Sequence, residues 1–242
     1  MGARRAQPWP IRVAHLVNIV AFVMMMTSGL QILRAYPYFG PQGETWTWVP
    51  LQGWDSPEWL RSGGWLAGAR HLHFAWMWVF MANGAFYVGY LVKSGELRRR
   101  MFWPPRDTRP AVRQLLRYLK IRKDSEPVNL YNGLQRAAYT GAIALGLLEV
   151  LSGLAIWKPV TLHRICWLMG GYDSARVIHF LALLGLMLFV VVHVVLVAVH
   201  WRQAPHIVTG GPKETTKETT KETTKETMKE TMNETPQEET KP

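Results

Sequence analysis

The chain has 242 residues, 48% of them hydrophobic, with 28 Lys and Arg against 17 Asp and Glu for a net charge of +11. Its mean hydropathy of −0.03 matches a soluble protein only because polar tracts offset four long, almost uncharged runs. One cysteine, Cys166, excludes an intramolecular disulfide, a Cys-x-x-Cys-His haem attachment and a four-cysteine iron–sulfur site, so any bound metal falls mainly to histidine.

The runs cover about residues 11–36, 65–92, 135–157 and 175–201. Each has at least the ~20 residues that a helix rising ~1.5 Å per residue needs to cross ~30 Å of hydrocarbon. In lipid, backbone groups must be satisfied within a helix or a closed barrel, and these runs lack the alternation of barrel strands. The expected fold is all-α, an integral membrane four-helix bundle over residues 11–202.

A short N-terminus (1–10) carries Arg4 and Arg5 and leads into the first run, which holds Arg12 and, about a turn inside its end, His15. The run is too long for a cleavable signal and ends in Arg34, Tyr36 and Pro37 without a small-residue cleavage pattern. The connection that follows has Arg61 against Glu44, Asp55 and Glu58, and five tryptophans: Trp46, Trp48, Trp54, Trp59 and Trp65. Tryptophan suits both interfacial anchoring and protein docking. Arg70, His71 and His73 lie near the start of the second run.

The next connection is strongly basic, from Lys93 through Arg98, Arg99 and Arg100 to Lys123. By the positive-inside rule this connection and both termini are cytoplasmic, which also accounts for the net charge without a nucleic-acid partner. Within it "AVRQLLRYLKIRK" reads as an amphipathic helix on the anionic membrane surface.

The third run carries Glu149, three residues before Ser152. A carboxylate there is costly unless protonated or paired, and it stands outside the expected core site. His163 falls in a loop. The last run holds His179 and His193, fourteen positions apart and so on one helix face, about 21 Å apart along the axis. His200 lies seven residues further on nearly the same face, at the membrane edge, as an alternative ligand to His193, and His206 lies beyond it. Residues 203–242 include the "KETT" repeat, which has no apolar face and reads as a disordered cytoplasmic tail.

Ionisable side chains in a membrane helix are functional candidates by default. One imidazole towards each side of the bilayer suits two b-type haems, each needing two axial ligands. His15 sits at the level of His193, giving an inner pair; His179 pairs with His71 or His73 at the outer level. An internal repeat chooses between them. "ARHLHF" (69–74) echoes "ARVIHF" (175–180), and "SGLQI" (28–32) echoes "SGLAI" (152–156), so helices one and two look like a duplicate of three and four, and His73 aligns with His179.

Arginine precedes histidine by three positions at Arg12/His15, Arg70/His73 and Arg176/His179, on a shared face. There a guanidinium either pairs with a haem propionate or marks the helix end. Gly29, Gly84, Gly141, Gly146 and Gly153 suit close approach of a flat macrocycle or ordinary helix contacts.

With His15, Arg70-x-x-His73, the His179–His193 spacing and "LYNGLQRAAYTGAIALGLLEVLSGLAIW" in place, the chain resembles the bacterial di-haem cytochrome b subunits of the cytochrome b561 type. These are the membrane anchors of nickel–iron hydrogenases, formate dehydrogenase-N and thiosulfate reductases. The resemblance implies the same histidine pairing, metal ligation by His15, His193, His73 and His179, and a quinone pocket (ubiquinone or menaquinone) involving Asn132 and Gln135 beside the inner haem. It further implies a periplasmic catalytic or electron-transfer partner, whether molybdoenzyme, hydrogenase or cytochrome, and a location in the bacterial inner membrane. The chain is then an electron-transfer subunit of an oxidoreductase complex rather than a stand-alone enzyme. The contrasting reading is a haem-free anchor or a proton-conducting histidine bundle.

Overall fold

A computed structural model describes residues 8–118 and 133–199. Among these residues there are seven α-helices, one 3₁₀ turn at Glu58–Leu60, and no strand. Four helices are long and apolar enough to cross a membrane: α1 (Trp9–Ala35), α2 (Leu66–Lys93), α5 (Gly133–Trp157) and α7 (Tyr172–Val199). They match the four hydrophobic runs to within a few residues. The shorter α3 (Glu96–Arg100) and α4 (Pro104–Tyr118) fill the basic connection, and α6 (His163–Leu168) lies in the last one.

The spans are apolar around their whole circumference, as lipid-facing helices must be. Large side chains such as Ile19, Leu147, Leu188 and Val191 are exposed on the protein surface, where hydrocarbon replaces water. Small and polar residues instead occupy the seams: Ala14, Ala21 and Ser28 in α1, Ala69 and Asn83 in α2, Ser152 and Ala155 in α5, Ala175 and Ala182 in α7. Small side chains let backbones approach, which is how helices associate where lipid tails remove the hydrophobic driving force.

The seams define two pairs. α1 packs along α2, and α5 along α7, while backbones of different pairs approach one another much less. Polar bonds lock each pair from within. Asn83 donates to the Ala14 carbonyl (2.9 Å) and to Asn18 Oδ1 (2.7 Å) between α2 and α1. A hydrogen bond between such helices is worth about 0.6–2 kcal/mol.

At the end that the charge pattern of the sequence assigns to the outside, and that is called outer below, residues 36–65 form a tied cap rather than a free loop. Phe39 and Val49 bury themselves against Val177 and Phe180 of α7, with Phe39 and Phe180 stacked at 5.0 Å. Arg61 and Arg34 both reach Asp55 (2.6 and 3.2 Å), and Gln31 donates to the Gly64 carbonyl (2.8 Å). Gly63, at φ +95°, is pressed so closely on Ala69 that a Cβ there would collide with its backbone.

At the opposite end, α4 braces the start of α5. Asp107 accepts from the Trp103 backbone N–H (2.8 Å), from Arg106 (2.9 Å) and, across the helix junction, from Arg136 Nη1 (2.8 Å). The hydrogen bond from Arg106, supported by the Trp103 amide and Arg136, holds the Asp107 carboxyl down to about 2 from the ordinary 3.8. A Cβ at Gly133 would fall 2.7 Å from the Asp107 carbonyl oxygen, so only glycine permits this approach.

The expected amphipathic helix is thus real but begins at Pro104 rather than residue 111, and its stretch 119–123 lies outside the described residues. α6 corrects the expectation of a loop around His163, which is exposed at the first turn of a short helix. That helix buries Cys166 against Ala155 and Ala175 and ends at Gly170 and Gly171, both at positive φ, whose amides bond back to Trp167 and Cys166. The tail, His200 and His206 lie outside the described residues.

Candidate functional site: two facing histidine pairs

Across the seam between the helix pairs, four imidazoles face one another two by two. The rings of His73 (α2) and His179 (α7) have centroids 6.3 Å apart at 69°. Those of His15 (α1) and His193 (α7) are 6.1 Å apart at 71°. A metal atom bonded at about 2.0–2.1 Å to one nitrogen of each of two imidazoles separates their ring centres by about 6 Å. Both pairs have the separation that two imidazoles would need to share one metal.

The outer pair is built from a duplicated unit. Ser28 Oγ lies 3.0 Å from His73 Nδ1, and Ser152 Oγ lies 3.0 Å from His179 Nδ1. Each serine hydroxyl donates to the carbonyl one turn back, Met24 at 2.5 Å and Leu148 at 2.6 Å. With its proton so used, the hydroxyl accepts from Nδ1–H, which leaves the Nε2 lone pair of each histidine free for a metal. The next residue in each copy is glycine. A Cβ on Gly29 or Gly153 would come to 3.3 Å from the Cε1 of His73 or His179 respectively, tighter than an ordinary contact, so the absent side chain lets the ring approach the helix closely.

The inner pair is held differently. His193 stacks on Phe189 at 5.8 Å and 13°, and His15 follows the buried Ala14 that meets Asn83. The duplication has diverged here: by the register that aligns Ser28 with Ser152 and His73 with His179, the counterparts of His15 and His193 are Tyr139 and Tyr87.

No group of three or more His, Cys, Asp or Glu that could hold a bare metal ion occurs among the described residues. Two neutral nitrogens on opposite sides suit a metal that brings its other ligands in a macrocycle. The donor set, the spacing and, in the outer pair, the fixed tautomers therefore fit haem.

The remaining expected residues are placed less uniformly. His71 is exposed, two residues from His73, and does not face His179. Arg176 donates from Nη2 to the Tyr36 and Tyr38 carbonyls (3.1 Å each) and lies over the rings of Tyr36 and Phe39, so it ties the outer cap to α7. Arg70 is exposed at the outer end of α2, and Arg12 is half-buried one turn before His15. Gln135 is exposed in the first turn of α5; Asn132 lies outside the described residues.

Two contacts at the candidate site escape sequence reasoning. The serines stand in the repeated "SGL" motif, a visible signal whose chemistry needs the facing helix to be read. Glu149 Oε2 lies 2.8 Å from His179 Nδ1, so the costly carboxylate has its partner on the next helix.

The family model of the prokaryotic cytochrome b561 matches residues 6–210. The chain belongs to the prokaryotic cytochrome b561 family. Membership makes this cytochrome a multi-pass membrane protein that binds haem b and serves electron transfer. It is 39% identical over 203 residues, covering 84% of this chain and 94% of the relative, to a protein of Azospira oryzae provisionally named protein-methionine-sulfoxide reductase subunit YedZ1. No solved structure matches this cytochrome.

Proposed function

We propose that this cytochrome b561 relative is a di-haem conduit carrying electrons between the quinone pool at the cytoplasmic side and a redox partner at the outer face. The observation that carries the reading is the pair of facing imidazole couples at 6.1 and 6.3 Å, set about four turns apart along α7. In it His73 and His179 ligate the outer haem, and His15 and His193 the inner one. Haem, when bound, supplies reversible one-electron exchange at iron.

The chain's own residues do the rest. Ser28 and Ser152 hold the outer imidazoles in the ligating tautomer, and lipid-facing apolar spans keep water from the seam. Arg12 and Arg70 are assigned to propionates. Arg176, with Nη2 committed to the cap, is assigned to the same end of the outer haem through its other N–H groups. The basic connection supports an orientation with both termini cytoplasmic in the bacterial inner membrane, which puts the capped end outside. Asn132 and Gln135, at the start of α5, are assigned to quinone beside His193.

The relative's designation as a reductase subunit supports flow outward: a quinol releases two electrons and two protons at the inner side, and a periplasmic reductase subunit consumes the electrons. Exposed Trp48, Trp59 and Trp65 on the cap and Trp167 on α6 are available to that partner. Proteoliposomes test the assignment. Addition of a quinol should generate the reduced b-type absorption band, and Gln135→Ala should slow that reduction; a preparation without a visible haem spectrum would instead point to a plain anchor or a proton channel.

A further inference from the structure

The two copies of the Ser-Gly-His unit are not identical. Three positions before Ser28 stands Met25; three before Ser152 stands Glu149. In the first copy Met25 brings only its carbonyl, which lies 3.2 Å from Ser28 Oγ. In the second, Glu149 Oε2 stands 2.8 Å from His179 Nδ1, sharing the N–H with Ser152 Oγ at 3.0 Å. The Glu149 side chain is 14% exposed, and its other oxygen, Oε1, is buried with no hydrogen-bond partner among the described residues.

Packing does not require this carboxylate, because methionine fills the equivalent place in the duplicate half. A carboxylate in a lipid-level helix is costly, and Glu149 is aimed at one atom, the non-ligating nitrogen of a histidine. A carboxylate that accepts from Nδ1–H raises the basicity of the ring and makes Nε2 a stronger donor. Its charge also favours the more positive oxidation state of a metal bound on the far side of the ring.

We infer that Glu149 is a positioning residue that lowers the reduction potential of the haem held by His73 and His179, acting through His179. This rests on the haem assignment above. The couple concerned is the ferric/ferrous one; a single electron is exchanged and no bond is made or broken. The carboxylate makes the outer haem the stronger donor to a partner subunit than its symmetric serine and glycine frame alone would.

Potentiometric titration of the purified full chain tests this, with His179→Ala identifying which absorption wave is the outer haem. Glu149→Gln keeps size and a hydrogen-bonding oxygen but removes the charge. It should shift the outer reduction equilibrium about tenfold towards the ferrous form, a rise of about 59 mV for a one-electron couple, and leave the other wave in place. Met25→Glu, which places a carboxylate beside His73, should move the same wave the opposite way. A Glu149→Gln protein with two haems and an unmoved outer wave overturns the inference. An unmoved or raised outer wave in Met25→Glu does so too, and that variant decides alone if Glu149→Gln loses haem. A wild-type protein with fewer than two haems per chain fails differently: it sinks the haem assignment itself.

Discussion

The outer and inner histidine pairs have nearly the same ring separation but are supported in unlike ways. At the outer level each half of the molecule contributes the same unit: a serine that sets the tautomer, a glycine that makes room, and a histidine. The site lies where the duplicated halves meet symmetrically. At the inner level the halves contribute different residues, His15 from one and His193 from the other, with Tyr139 and Tyr87 at the corresponding positions. His193 leans on Phe189, and no described residue hydrogen-bonds either inner ring. Duplication thus produces one site by symmetry and leaves the other to be built by divergence.

Ligand removal breaks the comparison most severely. Alanine at His73 or His179 should abolish the outer haem and leave the inner, and alanine at His15 or His193 the reverse, read from haem content and the split of the reduced band. Next in size come the serines. Ser28→Ala and Ser152→Ala should weaken haem retention by about tenfold, the lower end for supporting hydrogen bonds around a ligand. Ser28→Ala should be the more damaging, because His179 keeps Glu149 whereas His73 loses the side chain that holds its Nδ1. Haem dissociation to an apoprotein acceptor measures both, and equal rates would contradict the asymmetry.

Glycine substitution is milder. Gly29→Ala or Gly153→Ala brings a methyl to 3.3 Å from an outer imidazole carbon, so the ring must turn or shift slightly. Altered electron paramagnetic resonance of the outer haem alone, with both haems retained, is the expected outcome.

The smallest effect lies far from the outer pair, at the α4–α5 corner. The Asp107 carboxyl is held below its ordinary value, to about 2. Its contribution to stability is therefore complete above about pH 4–5 and is lost as pH falls towards 2. Thermal melts between pH 6 and 3 should show that loss, and Asp107→Asn should flatten it. The outer haem spectrum should not follow this transition.

Much of the architecture is legible in the sequence because lipid imposes it: length and lack of charge identify the four spans, and the echo of "ARHLHF" in "ARVIHF" selects His73 over His71. The cap over residues 36–65 is not legible, since its order comes from scattered partners such as Asp55 with Arg34 and Arg61, and Phe39 with Phe180. α6 is six residues long, too short for a periodic signal. Glu149 announces itself as a cost, but its use depends on how α5 is rotated against α7. Arg176 fits the sequence pattern of a propionate partner, yet the cap carbonyls claim one of its nitrogens, a contact 140 positions away in the chain.

The most direct test is the haem-to-chain ratio of the purified protein made in cells with ample haem, measured beside His179→Ala and His193→Ala. The account predicts two b-type haems per chain in the wild type and one in each variant. A wild-type ratio of one or zero, or two haems retained in either variant, would contradict it.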